Sequence, residues 1–402
     1  MTTNPWDKVK RFSALSRVFT PTAPVTRRDL FRGRLEQVFQ IAGALNQPGL
    51  HVVLYGERGV GKTSLANLLA DFLVADDAGE LLSTVRVNCA TQDSFRSIWT
   101  KVFRELQVAP PVEWEERSPD PDDIRWVLSA LSPARIIVLD EFDRVEDDDC
   151  LSLMADTVKS LSDHSVVTKV IIVGVADSID QLIGEHESVQ RCIEEVAMPR
   201  MTEENVFEIV DSGLATVDMT AELDARLRIA RLCEGLPHYA HLLTLYAAER
   251  AVGDDRDRVM VGDVKLAVER AAKKHSLVKE YQTAIQSART DTLYSRVLAA
   301  CAIAEKNRLG YFTAGAVREP LSRIMGRPYK IQAFAPHLDA FTSDERGRVL
   351  RREGKSRHYL YRFRNPLLQP FAIFAALAEG AIPEDYAAEL FSGERPSAHG
   401  VS

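Results

Sequence analysis

The chain is poor in cysteine, has no long apolar run and lacks a leader-like start. Its five cysteines, Cys89, Cys150, Cys192, Cys233 and Cys301, are odd in number, widely spaced and never form a CxxC pair. That pattern argues against both a disulfide framework and a zinc site, and the five read as small buried hydrophobes. No stretch approaches the ~20 apolar residues of a membrane-crossing helix. Met1 to Lys10 has no apolar signal-peptide core, so a cytoplasmic chain without membrane contact is expected. No internal repeat occurs. What remains is 402 residues, 46% hydrophobic and 27% charged, the make-up of a soluble globular protein of two or three domains.

Charge is unevenly spread. The chain carries a net −8, yet residues 290–371 hold 15 Lys/Arg against 7 Asp/Glu, a local +8 that leaves −16 for the remainder. One basic region therefore sits on an acidic protein.

The most informative stretch is Gly56-Glu57-Arg58-Gly59-Val60-Gly61-Lys62-Thr63, which matches the phosphate-binding P-loop at every fixed position. The β-branched run His51 to Tyr55 before it predicts a buried parallel strand. After it, Leu65, Leu68, Leu69, Phe72 and Leu73 mark one face of a helix. Gly56, Gly59 and Gly61 permit a tight backbone curl, so that main-chain amides from Gly56 through Ser64 point inward at a polyphosphate. The helix start adds positive field, Lys62 would reach the β and γ oxygens, and Thr63 would offer a hydroxyl to Mg²⁺.

A second apolar strand, Ile136 to Leu139, delivers Asp140 and Glu141 at its C-terminal end, the edge where open α/β sheets bind ligands. Asp140 is the expected Mg²⁺ partner, and Glu141 the group that polarises an attacking water. Further strands are expected at Val85–Val87, Val170–Gly174 and Ile193–Met198, alternating with helices. Asp177 and Ser178 follow the Val170 strand, placed either to sense a γ-phosphate or to cap a helix. The polar segment Pro110–Asp123 predicts a solvated surface loop.

The P-loop, Val87-Asn88-Cys89, Leu139-Asp140-Glu141-Phe142-Asp143 and Gly235-Leu236-Pro237 together resemble the AAA+ ATPases. Among them the pattern is nearest the origin-recognition replication initiators and the STAND switch ATPases. The resemblance implies a three-layer α/β P-loop domain, an α-helical lid and a C-terminal winged helix, with ATP and Mg²⁺ as cofactors. It places Arg34, within Phe31-Arg32-Gly33-Arg34, on the adenine side. It makes Arg191 an arginine finger acting on a neighbouring copy's nucleotide, hence a homo-oligomer. Asp177 stands where the family usually has Asn, Ser or Thr, and His238, after Pro237, where it usually has Arg. Both departures imply slow or timer-like hydrolysis.

The expected layout is a flexible basic arm at 1–24, the ATPase core at 25–200, a lid without strands at 201–280, a winged helix at 290–380 and a tail at 381–402. In the winged helix, helices from Leu293, Thr313 and Lys330 precede two strands that turn at Glu353-Gly354-Lys355. Arg346, Arg348, Arg351, Arg352, Lys355 and Arg357 cluster at that turn as candidate contacts for duplex DNA phosphates. The alternative is a STAND-type signalling or defence switch whose winged helix contacts protein.

Overall fold

The computed structural model describes residues 5–23, 32–72, 83–176, 182, 187–287, 293–307, 309–355 and 358–391. The chain divides into two compact units, Ala23–Arg200, and Met1–Thr22 together with Met201–Ser402.

The first unit is built on five parallel strands: β1 (His51–Tyr55), β2 (Ser83–Asn88), β3 (Arg135–Asp140), β4 (Lys169–Gly174) and β5 (Ile193–Ala197). Their order is β2-β3-β4-β1-β5. Alternate residues point to opposite faces. Val53, Val87, Ile137, Leu139, Val170 and Ile172 pack with Trp99, Phe103, Ile124, Val127, Met154 and Val158. These come from the helices Phe95–Leu106, Pro121–Ser129 and Asp148–Asp163. The helices Leu35–Asn46 and Lys62–Phe72 contact β1 and β5, and β2 and β4, respectively. A sheet buried on both faces explains the near-continuous apolar character of β1, β3 and β4.

One expectation for this unit is corrected. Within Pro110–Asp123, a 3₁₀ turn at Val112–Glu115 drives Trp114 into the core, 4% exposed, with its ring 5.2 Å from that of Phe103. One large indole outweighs its polar neighbours, because burying it removes far more apolar area than they leave exposed.

The second unit corrects more. Residues 5–18 form a helix, Pro5–Val18, instead of a loose arm. Leu15, Val18 and Phe19 are buried and the helix packs on the helix Pro237–Gly253. Lys8 reaches the Gly253 carbonyl (2.9 Å) and Asp255 (2.9 Å). The region expected to be strand-free is mainly helical but includes a two-residue parallel pair, β6 (Thr220–Ala221) with β7 (Arg258–Val259).

Further on come the helices Tyr294–Ile303, Ala314–Met325 and Ile331–Ala340 and an antiparallel sheet. Its strands are β8 (Phe312–Thr313), β9 (Leu350–Glu353) and β10 (Leu360–Phe363), in the order β8-β10-β9. Thr313 caps its helix by accepting from Ala316 N–H (3.1 Å). The elements follow the order read from sequence. The apolar helix Leu368–Ala378 packs on both Val261–Lys274 and Tyr294–Ile303, so the expected lid and C-terminal domain share one core. The expected tail contains a further helix, Glu384–Phe391, with Tyr386, Ala387 and Phe391 buried. Residues 392–402 lie outside the described residues. All five cysteines are buried free thiols. Among the described residues no helix is long and apolar enough to cross a membrane.

Candidate functional site

β1 ends at Tyr55, whose carbonyl accepts from Met198 N–H at the end of β5 (2.8 Å). The chain then turns at Gly56 with φ +148°, where a Cβ would stand 2.4 Å from the Met198 carbonyl oxygen. Only glycine fits so close a backbone crossing. The loop runs on through Val60, 1% exposed, into the helix Lys62–Phe72. The unpaired amides and the dipole at that helix start favour an anion.

Lys62 is buried, and its ammonium donates to the Gly56 and Glu57 carbonyls (2.8 Å each). Burial lowers its pKa to about 8, against the opposing pull of Asp143, Asp140 and Glu57. A desolvated cation held by loop carbonyls, inside a curl of amides, fits an incoming phosphate. Two arginines brace the loop. Arg34, 3% exposed, donates to the Val60 carbonyl (3.1 Å) and the Pro199 carbonyl (2.6 Å), and burial lowers its pKa to about 10. Its enclosed guanidinium thereby supports the loop's backbone. Arg200 bonds Glu57 (2.6 Å) from the end of β5. Arg58 is exposed.

Across the strand edge, Thr63 Oγ1 donates to Asp140 Oδ2 (3.0 Å). Asp140, 2% exposed, also accepts Glu141 N–H on Oδ1 (2.8 Å). Hydroxyl and carboxylate form the oxygen donor set that Mg²⁺ favours. Asp140 has a further partner that the sequence reading missed: Arg86 of β2 pairs with Oδ2 at 2.7 Å. Glu141 adopts a left-handed conformation, φ +56°, unusual for a side-chain-bearing residue. Its exposed carboxylate pairs with Arg144 (2.9 Å). Asp143 Oδ1 accepts Val175 N–H (2.7 Å), tying the segment after β3 to the end of β4.

Residues 46–183 match the family model described as an AAA domain. This stretch is an AAA domain. In fold, the chain is similar to the Walker-type ATPase of Pyrococcus abyssi, at 16% identity over 88% of this chain and 99% of that one, TM-score 0.51. The Aeropyrum pernix ORC1 protein, solved in complex with DNA, is 18% identical over 93% and 97% of the two chains, TM-score 0.49. The Aeropyrum pernix ORC2 protein, solved in ADPNP–ADP complexes, is 17% identical over 92% and 98%, TM-score 0.49. No curated protein matches the chain in sequence. The AAA domain thus has the P-loop α/β fold expected from its motifs, with Gly56–Ser64, Asp140 and Glu141 gathered at the C-terminal edge of the sheet.

The remaining candidates fare differently. Asp177 and Ser178 lie outside the described residues, as does Arg357. Arg191 is largely exposed just ahead of β5 and pairs with Asp163 (2.5 Å). Pro237 opens its helix in the second unit, where a missing N–H costs nothing. His238 is engaged at both nitrogens, with the Pro21 carbonyl (2.7 Å) and His275 Nε2 (2.9 Å). Leu277 N–H donates to His275 Nδ1 (3.2 Å). That fixes one neutral tautomer chain: His275 donates to His238, and His238 donates to Pro21.

Among the candidate DNA contacts, the half-buried Arg346 donates to the Ala284 and Gln286 carbonyls (2.8 and 2.7 Å) and lies 3.3 Å from the Tyr294 ring centre. Arg348 pairs with Asp344 (2.5 Å). Arg351 bonds the Tyr311 hydroxyl. Arg352 pairs with Asp339 (2.6 Å) and lies over Tyr359. Lys355 is exposed.

Arg86 and Arg200 had only faint sequence signals. A lone arginine inside an apolar strand must find a counter-charge, and Arg86, two residues ahead of Asn88, shares its face of β2 near the sheet's ligand edge.

Proposed function

We propose that the chain is a nucleotide-controlled switch that binds Mg²⁺-ATP in the AAA domain and hydrolyses it slowly. The observation that carries this is the buried Lys62 ammonium within the glycine loop, beside a Thr63 hydroxyl bonded to Asp140. On this reading Lys62 exchanges two carbonyl partners for phosphate oxygens, a charge-assisted contact stronger than either bond it gives up. Thr63 and Asp140 would hold the metal, which when bound supplies charge compensation at the β and γ oxygens. Glu141 leaves Arg144 to orient and deprotonate water. Arg191 would serve a neighbouring copy, and Asp177 would sense the γ-phosphate. The test is Lys62→Ala, for which ADP affinity should fall roughly a hundredfold or more. Unchanged affinity in the folded variant would discard the site. Glu141→Gln should keep affinity and lose about 10²–10⁴ in turnover; parent-like turnover removes Glu141 from the reaction.

The C-terminal helices and sheet are taken as a winged helix that touches duplex DNA through Arg348, Arg351, Arg352 and Lys355, with nucleotide state governing assembly. A second reading, a signalling or defence switch that contacts protein, draws support from the internal partners of those arginines. A salt titration separates the two. Duplex affinity that falls steeply with salt and weakens in Arg351→Ala/Arg352→Ala favours DNA, whereas no binding at low salt favours the protein partner.

A further inference from the structure

Arg86 lies on the edge strand β2, beside Asn88, whose backbone pairs in register with Asp140. Its guanidinium is held from two sides, by Asn67 Oδ1 (2.5 Å) and Asn88 Oδ1 (3.2 Å), and meets Asp140 Oδ2 at 2.7 Å. That oxygen is the one bonded to Thr63, and the Asp140 side chain is 3% exposed. A nearly buried anion at the metal position therefore already has a countercharge, and two amides pin that countercharge in place.

We propose that Arg86 is a resident counter-cation that sets the metal dependence of nucleotide binding, satisfying Asp140 without a divalent ion and opposing Mg²⁺ at the shared oxygen. The inference rests on the nucleotide reading above. Two cations at one carboxylate oxygen repel in a partly desolvated site. Mg²⁺ also sheds water reluctantly and needs its carboxylate anchor more than a larger ion does. Nucleotide affinity should then come mainly from the loop amides and Lys62, and depend weakly on metal.

The experiment is a fluorescent-ADP titration in magnesium and in EDTA, with Mn²⁺ binding to the ADP complex followed by electron paramagnetic resonance. Wild type is expected to change affinity less than about threefold between the two buffers. Arg86→Gln removes the charge and keeps an amide near Asn67. Its magnesium-to-EDTA ratio should rise about tenfold or more, and its Mn²⁺ affinity should tighten about tenfold. An unchanged ratio in Arg86→Gln, or a steep metal dependence already in wild type, overturns the proposal. If Arg86→Gln does not fold, Asn67→Ala frees one arm of the fork with no change of charge and should shift the ratio the same way by about threefold; no shift there overturns it as well. If wild type binds no ADP in either buffer, the nucleotide reading itself fails and this inference falls with it, a result distinct from binding that ignores residue 86.

Discussion

A methyl group at position 56 has nowhere to go. The backbone there has φ +148°, and the Met198 carbonyl oxygen would lie 2.4 Å from the new carbon. Gly56→Ala should cost about 1–3 kcal/mol, since β5 must move or the turn must open. In a unit of this size that lowers the melting temperature by roughly 2–10 °C, and it should weaken ADP binding in parallel. A variant with wild-type melting and affinity would show that the loop does not lean on β5 as described. The loop itself was readable at residue scale, because fixed spacing and residue type suffice for Gly56–Thr63 and for Asp140. Arg34 and Arg86 were not, since their roles depend on which carbonyl or carboxylate the fold brings to a long side chain. Spacing along the chain says nothing of a partner 165 residues away, the separation of Arg34 from Pro199.

At the scale of elements, composition misled wherever a few apolar residues sit among many polar ones. Trp114 is alone among Pro, Glu and Asp, yet it fills the space beside Phe103. Trp114→Ala is expected to destabilise by about 3–5 kcal/mol, with the loss read from chemical denaturation. A cost below about 1 kcal/mol would mean the segment is the surface loop its composition resembles. Residues 5–18 misled in the same way, because basic side chains hide the Leu15, Val18 and Phe19 spacing that buries one face. The strands of the parallel sheet were legible for the opposite reason. Burial on both faces leaves uninterrupted apolar runs, which few other environments require.

For the whole molecule, acid should act on the two units unequally. In the second unit burial lowers His241 to about 4 and His275 to about 4, with His238 adding to both effects, and lowers His238 too. In the first unit His51 falls to about 3 through burial and then Lys169. These rings stay neutral when folded, so below pH 6.5 the unfolded chain binds more protons. Stability from this source is intact above pH 6.5 and is lost as pH falls towards 4, with His241 alone accounting for about 3 kcal/mol. Hydrogen exchange at stepped pH should show residues 237–275 opening before β1, β3 and β4. Simultaneous opening, or opening of the sheet first, would contradict the assignment. The tautomer chain sharpens the expectation, because an added proton on His238 Nε2 would face the His275 N–H head-on.

The contact between Pro21 and His238 spans 217 residues. At a synthesis rate of roughly 5–20 residues per second, the early helix waits some 10–40 s for the surface that covers Leu15, Val18 and Phe19. During that interval the whole of residues 23–200 emerges and can close its sheet. A nascent chain therefore completes its P-loop unit first, while Leu15, Val18 and Phe19 stay uncovered until the helix Pro237–Gly253 has followed.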